Sequence, residues 1–344
     1  MIPLEKNNFK LDPVDVANLL QKNYTSIMPA FYESQSSFLC DIYKRYKSIE
    51  TANIILCFAR KVHLEIIRQR EKDLNFNVSM ENFWKNLNYI NKPSEKITNI
   101  VQITGIPKET VRRKIKNLLN LGFLEKEKNS KGFYWAVPSE TKNELQLLIS
   151  NEVKQLAGFI TKLLNPLGIK LTSAAVEEEI KFQFSFYWYH YLTCQLAWLK
   201  FWQTKLKDND LLIVALQATI PTLQFINKKT AHKINLEEIF KILGSYDQRI
   251  LSNNLNHISI SPTSVSDVTG IPRATCIRKL DKLVELGFLI RIERSKRYAV
   301  NQTTDERTKN ILSKDNVNFT IRTFSKYFSI IANSLYYQNQ LRKL

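Results

Sequence analysis

Glycine is scarce in this chain, and that scarcity limits the kinds of ligand the protein is expected to bind. The 344 residues include 8 glycines, which leaves little room for the glycine-rich loops whose backbone N–H groups cradle phosphates. The sequence also carries no recognisable nucleophile motif and no paired catalytic carboxylates. We therefore expect neither an enzymatic activity nor a cofactor.

Cysteine and histidine are equally sparse, with four residues of each type. The cysteines form no C-x-x-C spacing, and no histidines cluster near them, which argues against a disulfide framework or a zinc site. The first residues also lack the basic and then apolar segments of a secretory signal. The expectation is a cytoplasmic protein without a bound metal.

Long apolar runs without charge are rare. Two runs, Phe182–Leu199 and Leu211–Asn227, approach the length of a membrane span. The first is rich in Tyr, Gln and His, and the second contains Gln217, Pro221 and Gln224, all of which are costly in a bilayer core. The sequence therefore predicts no contact with a membrane.

What the sequence has in excess is positive charge. Its 50 lysine and arginine residues against 32 acidic residues give a formal net charge of +18. Such an excess favours an anionic partner such as nucleic acid. It also suggests association with the nucleoid.

One stretch of the sequence occurs twice, as ITGIPKETVRRKIKNLLNLGFL at 103–124 and VTGIPRATCIRKLDKLVELGFL at 268–289. Between Thr104–Leu124 and Thr269–Leu289, which we name the first and second repeats, 12 of 21 positions are identical at a constant offset of 165. Chance would give roughly one or two. The sequence therefore predicts an internal duplication into two domains, a first half at 1–165 and a second half at 166–344.

Each repeat predicts two helices joined by a tight turn. Gly105 and Gly270 lie where a helix ends in a left-handed residue, a conformation that glycine adopts without steric cost. Asn99 with Gln102, and Ser264 with Asp267, have the spacing of a capping box at the start of the first helix. At the C-terminal end of each repeat and just after it, two strand-like runs separated by basic residues predict a β-hairpin.

Most of the remaining chain has helical periodicity, and two long helices follow the hairpins. Their apolar residues recur at spacings of three and four, typical of a helix packed lengthwise on another. These stripes are Leu145, Ile149, Val153, Leu156, Ile160 and Leu163 in the first half, and Val317, Ile321, Phe324, Phe328, Ile331 and Leu335 in the second. The fold class is therefore mainly α with small β-hairpins.

The pattern T-G-I-P-x-x-T-x-x-R-K-[IL]-x-x-L-x-x-L-G-F-L, followed by a basic hairpin, resembles the winged helix-turn-helix of bacterial regulators of the MarR and IclR type. The resemblance implies two winged-helix cores, at about 80–138 and about 235–301, joined by long packing helices. It also implies that the second helix of each repeat enters the major groove of DNA. The flanking helices resemble the dimerisation helices of MarR-like regulators only in their placement.

Turning 100° per residue from Val111 identifies the residues of each second helix that point away from the core. Arg113 is the first choice for reading guanine, and the hairpin tips suit phosphate contacts. The candidate recognition residues are Lys108, Thr110, Arg112, Arg113, Lys116, Arg273, Thr275, Arg278 and Lys282. The candidate hairpin residues are Lys126, Lys128, Lys131, Arg294, Lys296 and Arg297.

These features predict a transcription regulator that binds double-stranded DNA sequence-specifically. Because the two recognition helices differ, one chain would act as a pseudo-dimer on an imperfect palindrome, either as a monomer or as a homodimer through its long helices. The alternative is an architectural, replication or segregation scaffold whose winged helices bind protein or non-specific DNA. Both functions remain open at the level of sequence.

The aromatic run at 182–202 has two interpretations. Phe184, Trp188, Tyr191 and Trp198 recur at helical spacing and would bury one face of a helix in the core. The other interpretation is an effector pocket for a small aromatic compound, because the regulators that the sequence resembles bind such compounds. The core interpretation is the one we favour.

Overall fold

The computed structural model describes residues 10–87, 92–128, 130–230, 234–244, 255–301, 311 and 313–341. It is mostly helical, at 75%, with two small antiparallel sheets. The prediction of a mainly α protein with small β-hairpins is therefore confirmed.

The elements follow one another in a regular order along the chain. In the first half they are α1 Pro13–Lys22, α2 Tyr24–Tyr46, α3 Ile49–Lys72, α4 Met80–Asn86, β1 Glu95–Lys96, α5 Ile97–Thr104, α6 Lys108–Asn120, β2 Leu124–Lys126, β3 Gly132–Trp135 and α7 Ser139–Leu164. After a 3-10 turn at Asn165–Leu167 come α8 Ser173–Phe182, α9 Phe184–Leu206, α10 Asp210–Thr230, α11 Leu236–Gly244, α12 Leu255–Ile258, α13 Pro262–Thr269, α14 Arg273–Glu285, β4 Leu289–Ile292, β5 Arg297–Val300 and α15 Lys314–Leu341.

The chain forms two compact units, and each unit takes segments from both halves of the sequence. Unit 1 consists of Met1–Val16, Glu50–Thr204 and Thr323–Leu344, and unit 2 of Ala17–Ile49 and Lys205–Arg322. The repeated stretch recurs at an offset of 165 residues, whereas these units are defined by packing. Each repeat therefore packs with a long helix from the other half of the chain.

The core of unit 1 is rich in aromatic side chains. His63 of α3 stacks on Phe83 of α4 with ring centroids 4.6 Å apart, and Phe184 of α9 meets the His63 ring edge-on at 5.2 Å. On the C-terminal helix α15, Phe324 and Phe328 pack against Trp198 and Phe159 at 5.8 and 4.9 Å. Aromatic pairs at these distances add to the stability gained from buried area.

Unit 2 is built around α10, which packs against α2 and against the helices of the second repeat. The Gln217 side-chain amide on α10 donates to the Ser36 hydroxyl of α2 at 2.8 Å. Thr25, near the start of α2, exchanges backbone and side-chain hydrogen bonds with Ile234. These contacts fix helices that are far apart in the sequence.

The predicted apolar stripes lie mostly in the core, but the predicted helix caps are wrong. All six residues of the first stripe are buried, as are five of the second, where Val317 is half-buried. Helix α5 begins at Ile97, and the Asn99 amide donates to Glu95 instead of capping the helix. In α13 the cap is Ser261, because Pro262 starts the helix and Ser264 completes the capping box.

One described helix, at Asp210–Lys229, is long and apolar enough to cross a membrane by length and composition alone. Of its most apolar 18 residues, 56% are buried within the protein. Core helices of soluble proteins commonly combine this length and composition with burial.

Candidate nucleic-acid interface

The turn between the two helices of each repeat is fixed by the same pair of residues. Gly105 and Gly270 end α5 and α13 at φ values of 71° and 72°, in the left-handed region. The preceding threonines are fully buried, and their hydroxyls donate to a carbonyl one helical turn back, from Thr104 to Ile100 at 2.7 Å and from Thr269 to Val265 at 2.6 Å. Each hydroxyl also accepts the N–H of the residue after the glycine.

This double role of threonine was missed at the sequence level, although the repeated Thr-Gly pair was a visible signal for it. A buried hydroxyl that both donates and accepts has its hydrogen-bonding capacity largely satisfied. It closes the turn without a further side chain. The second helix of each repeat is therefore held at a fixed angle to the first.

Helix α6 is amphipathic, with an apolar face on one side and a basic face on the other. Val111, Ile115 and Leu118 are buried, as the sequence predicts. On the opposite side, which we call the first face, most of the candidate residues are solvent-exposed. They are Lys108, Arg112, Arg113 and Lys116, while Thr110 is half-buried.

Within the first face the cations differ in what they contact. The guanidinium of Arg112 pairs with Glu109 at 2.7 Å on the same helix. In the part of the chain that the structure describes, Arg113 and Lys116 form no hydrogen bond or ion pair. These two side chains have their donors available to an external acceptor.

Helix α6 is joined to α3 by a lysine that the sequence did not single out. Lys114 points away from solvent, and its ammonium lies 3.4 Å from the Glu50 carboxylate and 3.1 Å from the Thr51 hydroxyl at the start of α3. Its side chain is 15% exposed. In the second repeat Lys279 lies 2.7 Å from Asp208 and 3.6 Å from Asp210, before and at the start of α10.

Strands β2 and β3 form the first hairpin, whose tip carries three exposed lysines, Lys126, Lys128 and Lys131. The strand order of its sheet is β1-β3-β2. Glu127 organises the tip, because it accepts hydrogen bonds from Ser130 and from Tyr134, the latter at 2.8 Å. These hydrogen bonds lower the pKa of Glu127.

Helix α14 buries Cys276, Leu280 and Leu283 and exposes Arg273, Arg278 and Lys282, with Thr275 half-buried. We call this exposed side the second face. Each of its cations contacts a neighbour within unit 2. Arg273 donates to Thr263 at 3.2 Å, Arg278 to Thr275 at 3.1 Å, and Lys282 pairs with Glu285 at 2.8 Å.

The second hairpin, β4–β5, presents Arg294 and Lys296 to solvent, but its third candidate residue is used internally. Arg297 donates through Nε to the Ser259 hydroxyl at 2.8 Å and through a terminal nitrogen to the Ser259 carbonyl at 2.5 Å. Its guanidinium therefore joins β5 to the segment before α13. The structure does not place it with the two exposed tip cations.

The second hairpin is also bonded to α14. The Tyr298 hydroxyl donates to Asp281 of α14 at 2.8 Å, and Arg291 lies 3.8 Å from the same carboxylate. Burial, together with this hydrogen bond, raises the pKa of Tyr298 to about 12. Asp281 occupies the repeat position of Lys116, so this contact has no equivalent on the first face.

The four aromatic residues considered as an effector pocket are side chains of the unit 1 core. Phe184, Trp188, Tyr191 and Trp198 are at most 3% exposed. Phe184 stacks on Trp188 at 5.3 Å, and the Tyr191 hydroxyl donates to the buried Glu152. Their packing accounts for their helical spacing.

Taken together, the first face and the first hairpin present charged donors, which suit the anionic oxygens of phosphate and the acceptor atoms of bases. The residues that reasoning from sequence missed, Lys114 and Lys279, hold the helices in place. Comparisons of the chain with protein-family models, with curated protein sequences and with solved structures find no match.

Proposed function

We propose that this protein binds double-stranded DNA through two winged helix-turn-helix units that arose by internal duplication, and that it acts as a sequence-specific transcription regulator resembling the MarR and IclR type. The observation that carries the proposal is the first face. Arg113 and Lys116 are exposed without a partner among the described residues, beside a hairpin with three exposed lysines.

The dimensions and chemistry of this arrangement suit duplex DNA. An α-helix fits the major groove of B-DNA, where each base pair presents a distinct pattern of donors and acceptors. An arginine that bridges O6 and N7 of guanine contributes about 1–3 kcal/mol of discrimination. Lysines on a hairpin can contact the phosphates beside the groove without reading sequence.

Because one chain carries both units, it would present two different reading helices to one operator. The scaffold residues of the repeats are shared, but Lys116 corresponds to Asp281 and Arg112 to Ile277. A chain of this kind would act as a pseudo-dimer on an imperfect palindrome. We propose no small aromatic effector, because the candidate residues for its pocket are packed in the core of unit 1.

A second candidate function is an architectural or replication scaffold that binds DNA without sequence preference, or binds protein. The observation that favours it is the second face, where Asp281 and Glu285 lie among the cations. An acidic residue on a helix that approaches DNA weakens its attraction to phosphate. The two functions differ in specificity, which can be measured.

The test is selection of bound fragments from a random duplex pool, followed by titration of selected and random duplexes across a range of salt concentrations. A regulator is expected to bind the selected duplex about 10³-fold or more tightly than a random one. A non-specific binder would bind both alike, with a salt dependence set by its phosphate contacts alone. Equal affinities would reject the regulator and leave the scaffold.

A further inference from the structure

The two faces differ most at one pair of equivalent positions, 116 and 281. Lys116 is exposed and has no bonding partner among the residues the structure describes. Asp281 accepts a hydrogen bond from the Tyr298 hydroxyl at 2.8 Å and lies 3.8 Å from Arg291. The first face therefore has an available cation where the second has a carboxylate already bound to its own hairpin.

This contact at Asp281 is well fixed. Tyr298 is 2% exposed, so its hydroxyl has little freedom to turn toward another acceptor. The Arg291 guanidinium also lies over the Tyr298 ring, 5.9 Å from its centroid, within the range of a cation–π interaction. Reading a cytosine amino group with Asp281 would require this set of contacts to be shared or broken.

The arginines at equivalent positions also differ in whether they have a hydrogen-bond partner. Arg113 and Arg278 are 165 positions apart, at identical places in the repeats. Arg278 donates to the Thr275 hydroxyl one turn back along α14 at 3.1 Å, whereas Arg113 makes no such bond in the described part of unit 1. A guanidinium directed along its own helix is poorly placed for the two parallel bonds that identify guanine.

The two hairpins also differ in whether they can bond to the second helix of their repeat. In the first hairpin the residue equivalent to Tyr298 is Phe133, which lies opposite Lys126 as Tyr298 lies opposite Arg291 and has no hydroxyl to donate. In unit 2 the Tyr298 hydroxyl bonds to α14. The second hairpin and α14 therefore form one rigid surface whose exposed cations, such as Arg294 and Lys296, can contact phosphates in any sequence.

On the basis of the function proposed above, we propose that the two units divide the recognition of DNA. Unit 1 selects base pairs through Arg113 and Lys116, and unit 2 holds the phosphate backbone without selecting sequence. The ligand is a duplex with a single sequence-specific half-site next to a segment whose sequence is unrestricted, and this replaces the imperfect palindrome expected when both helices read bases. Asp281 is the residue that sets this difference.

Selection from the random duplex pool, with the full chain, tests this division directly. One enriched half-site, flanked by random sequence, is the expected result. Two enriched half-sites of similar information content overturn the division but leave the proposed function standing. A pool without any enriched sequence overturns the proposed function and the division together.

Two matched variants, Arg113→Ala and Arg278→Ala, assign the half-site to a unit. Both side chains are exposed on helices, so both variants should fold, and circular dichroism checks that they do. R113A is expected to reduce the preference for the selected over the random duplex roughly 5- to 150-fold. R278A is expected to weaken both complexes by the same factor, and a change of preference in R278A, or none in R113A, overturns the proposal.

Discussion

The ammonium group of Lys114 lies 3.4 Å from the carboxylate of Glu50, and this pair joins α6 to the start of α3. The two side chains are 15% and 21% exposed, so water screens their attraction less than it does for a surface pair. Glu50 also lies in the first turn of α3, where a negative charge interacts favourably with the helix dipole. The pair ties α6, and with it the basic face, to the start of α3.

Substitution of Lys114 by Met should therefore cost stability. Loss of the ammonium leaves Glu50 partly buried without this cation, and we expect the free energy of unfolding to fall by about 1–2 kcal/mol. Lys116→Met is the matched control, because Lys116 is exposed on the same helix and its loss should cost less than about 0.5 kcal/mol. Urea denaturation measures both, and equal losses in the two variants would contradict the anchoring role of Lys114.

Alanine at Gly270 should also be destabilising, for two separable reasons. The residue has φ of +72°, and an added Cβ would lie 3.1 Å from Lys44 Cγ. Gly168→Ala isolates the first reason, because φ there is +74° and nothing lies within 4 Å of the added Cβ. We expect a loss of roughly 1–2 kcal/mol at Gly168 and a larger one at Gly270, measured by thermal or urea unfolding. Equal losses at the two positions would show that Lys44 yields without cost.

His63 should make the stability of the protein depend on pH in a defined window. Burial lowers its pKa from 6.5 to about 3, so below pH 6.5 the unfolded chain binds a proton that the folded chain does not. Stability therefore decreases as the pH falls from 6.5 toward 3 and is unaffected by this group above 6.5. The expected contribution between pH 7.5 and 5.5 is about 1.4 kcal/mol.

The variant that tests this is His63→Phe, because phenylalanine keeps the ring contacts with Phe83 and Phe184 and does not titrate. Urea denaturation at pH 7.5 and 5.5 should show a smaller loss of stability in H63F than in the unmodified chain. The exposed His257, replaced by Gln, serves as the control. An unchanged loss in H63F would mean that His63 accepts a proton in the folded protein.

Lys128, at the tip of the first hairpin, should contribute to DNA affinity but not to sequence preference. If it contacts a phosphate, Lys128→Ala weakens binding to selected and random duplexes by the same factor and reduces the slope of log K against log salt by about 0.9. Lys162→Ala is the control, since this exposed lysine lies 23 residues along α7, about 35 Å from its start. Unequal weakening of the two duplexes by K128A would assign Lys128 to base reading.

Much of the local structure could be predicted because it depends on neighbouring residues. The glycine turns at Gly105 and Gly270, the inward residues of α6 and the apolar stripes of the long helices follow from conformational preference and helical period. The predicted helix starts were wrong where an earlier residue took the cap, as Ser261 did ahead of Pro262 in α13. Capping depends on a single hydrogen bond, so a shift of three residues changes the sequence pattern very little.

The sequence by itself determined the repeat, the excess of positive charge, the mainly helical fold and the set of outward cations, because each is a property of composition or of short-range periodicity. Only the tertiary structure decided that helices of one half pack with the repeat of the other, that Lys114 and Lys279 face carboxylates at the starts of neighbouring helices, and that Asp281 is bound to Tyr298. These contacts join residues that are distant in sequence or lie on separate elements. Their geometry is set by the packing of whole helices, on which local sequence patterns carry no information.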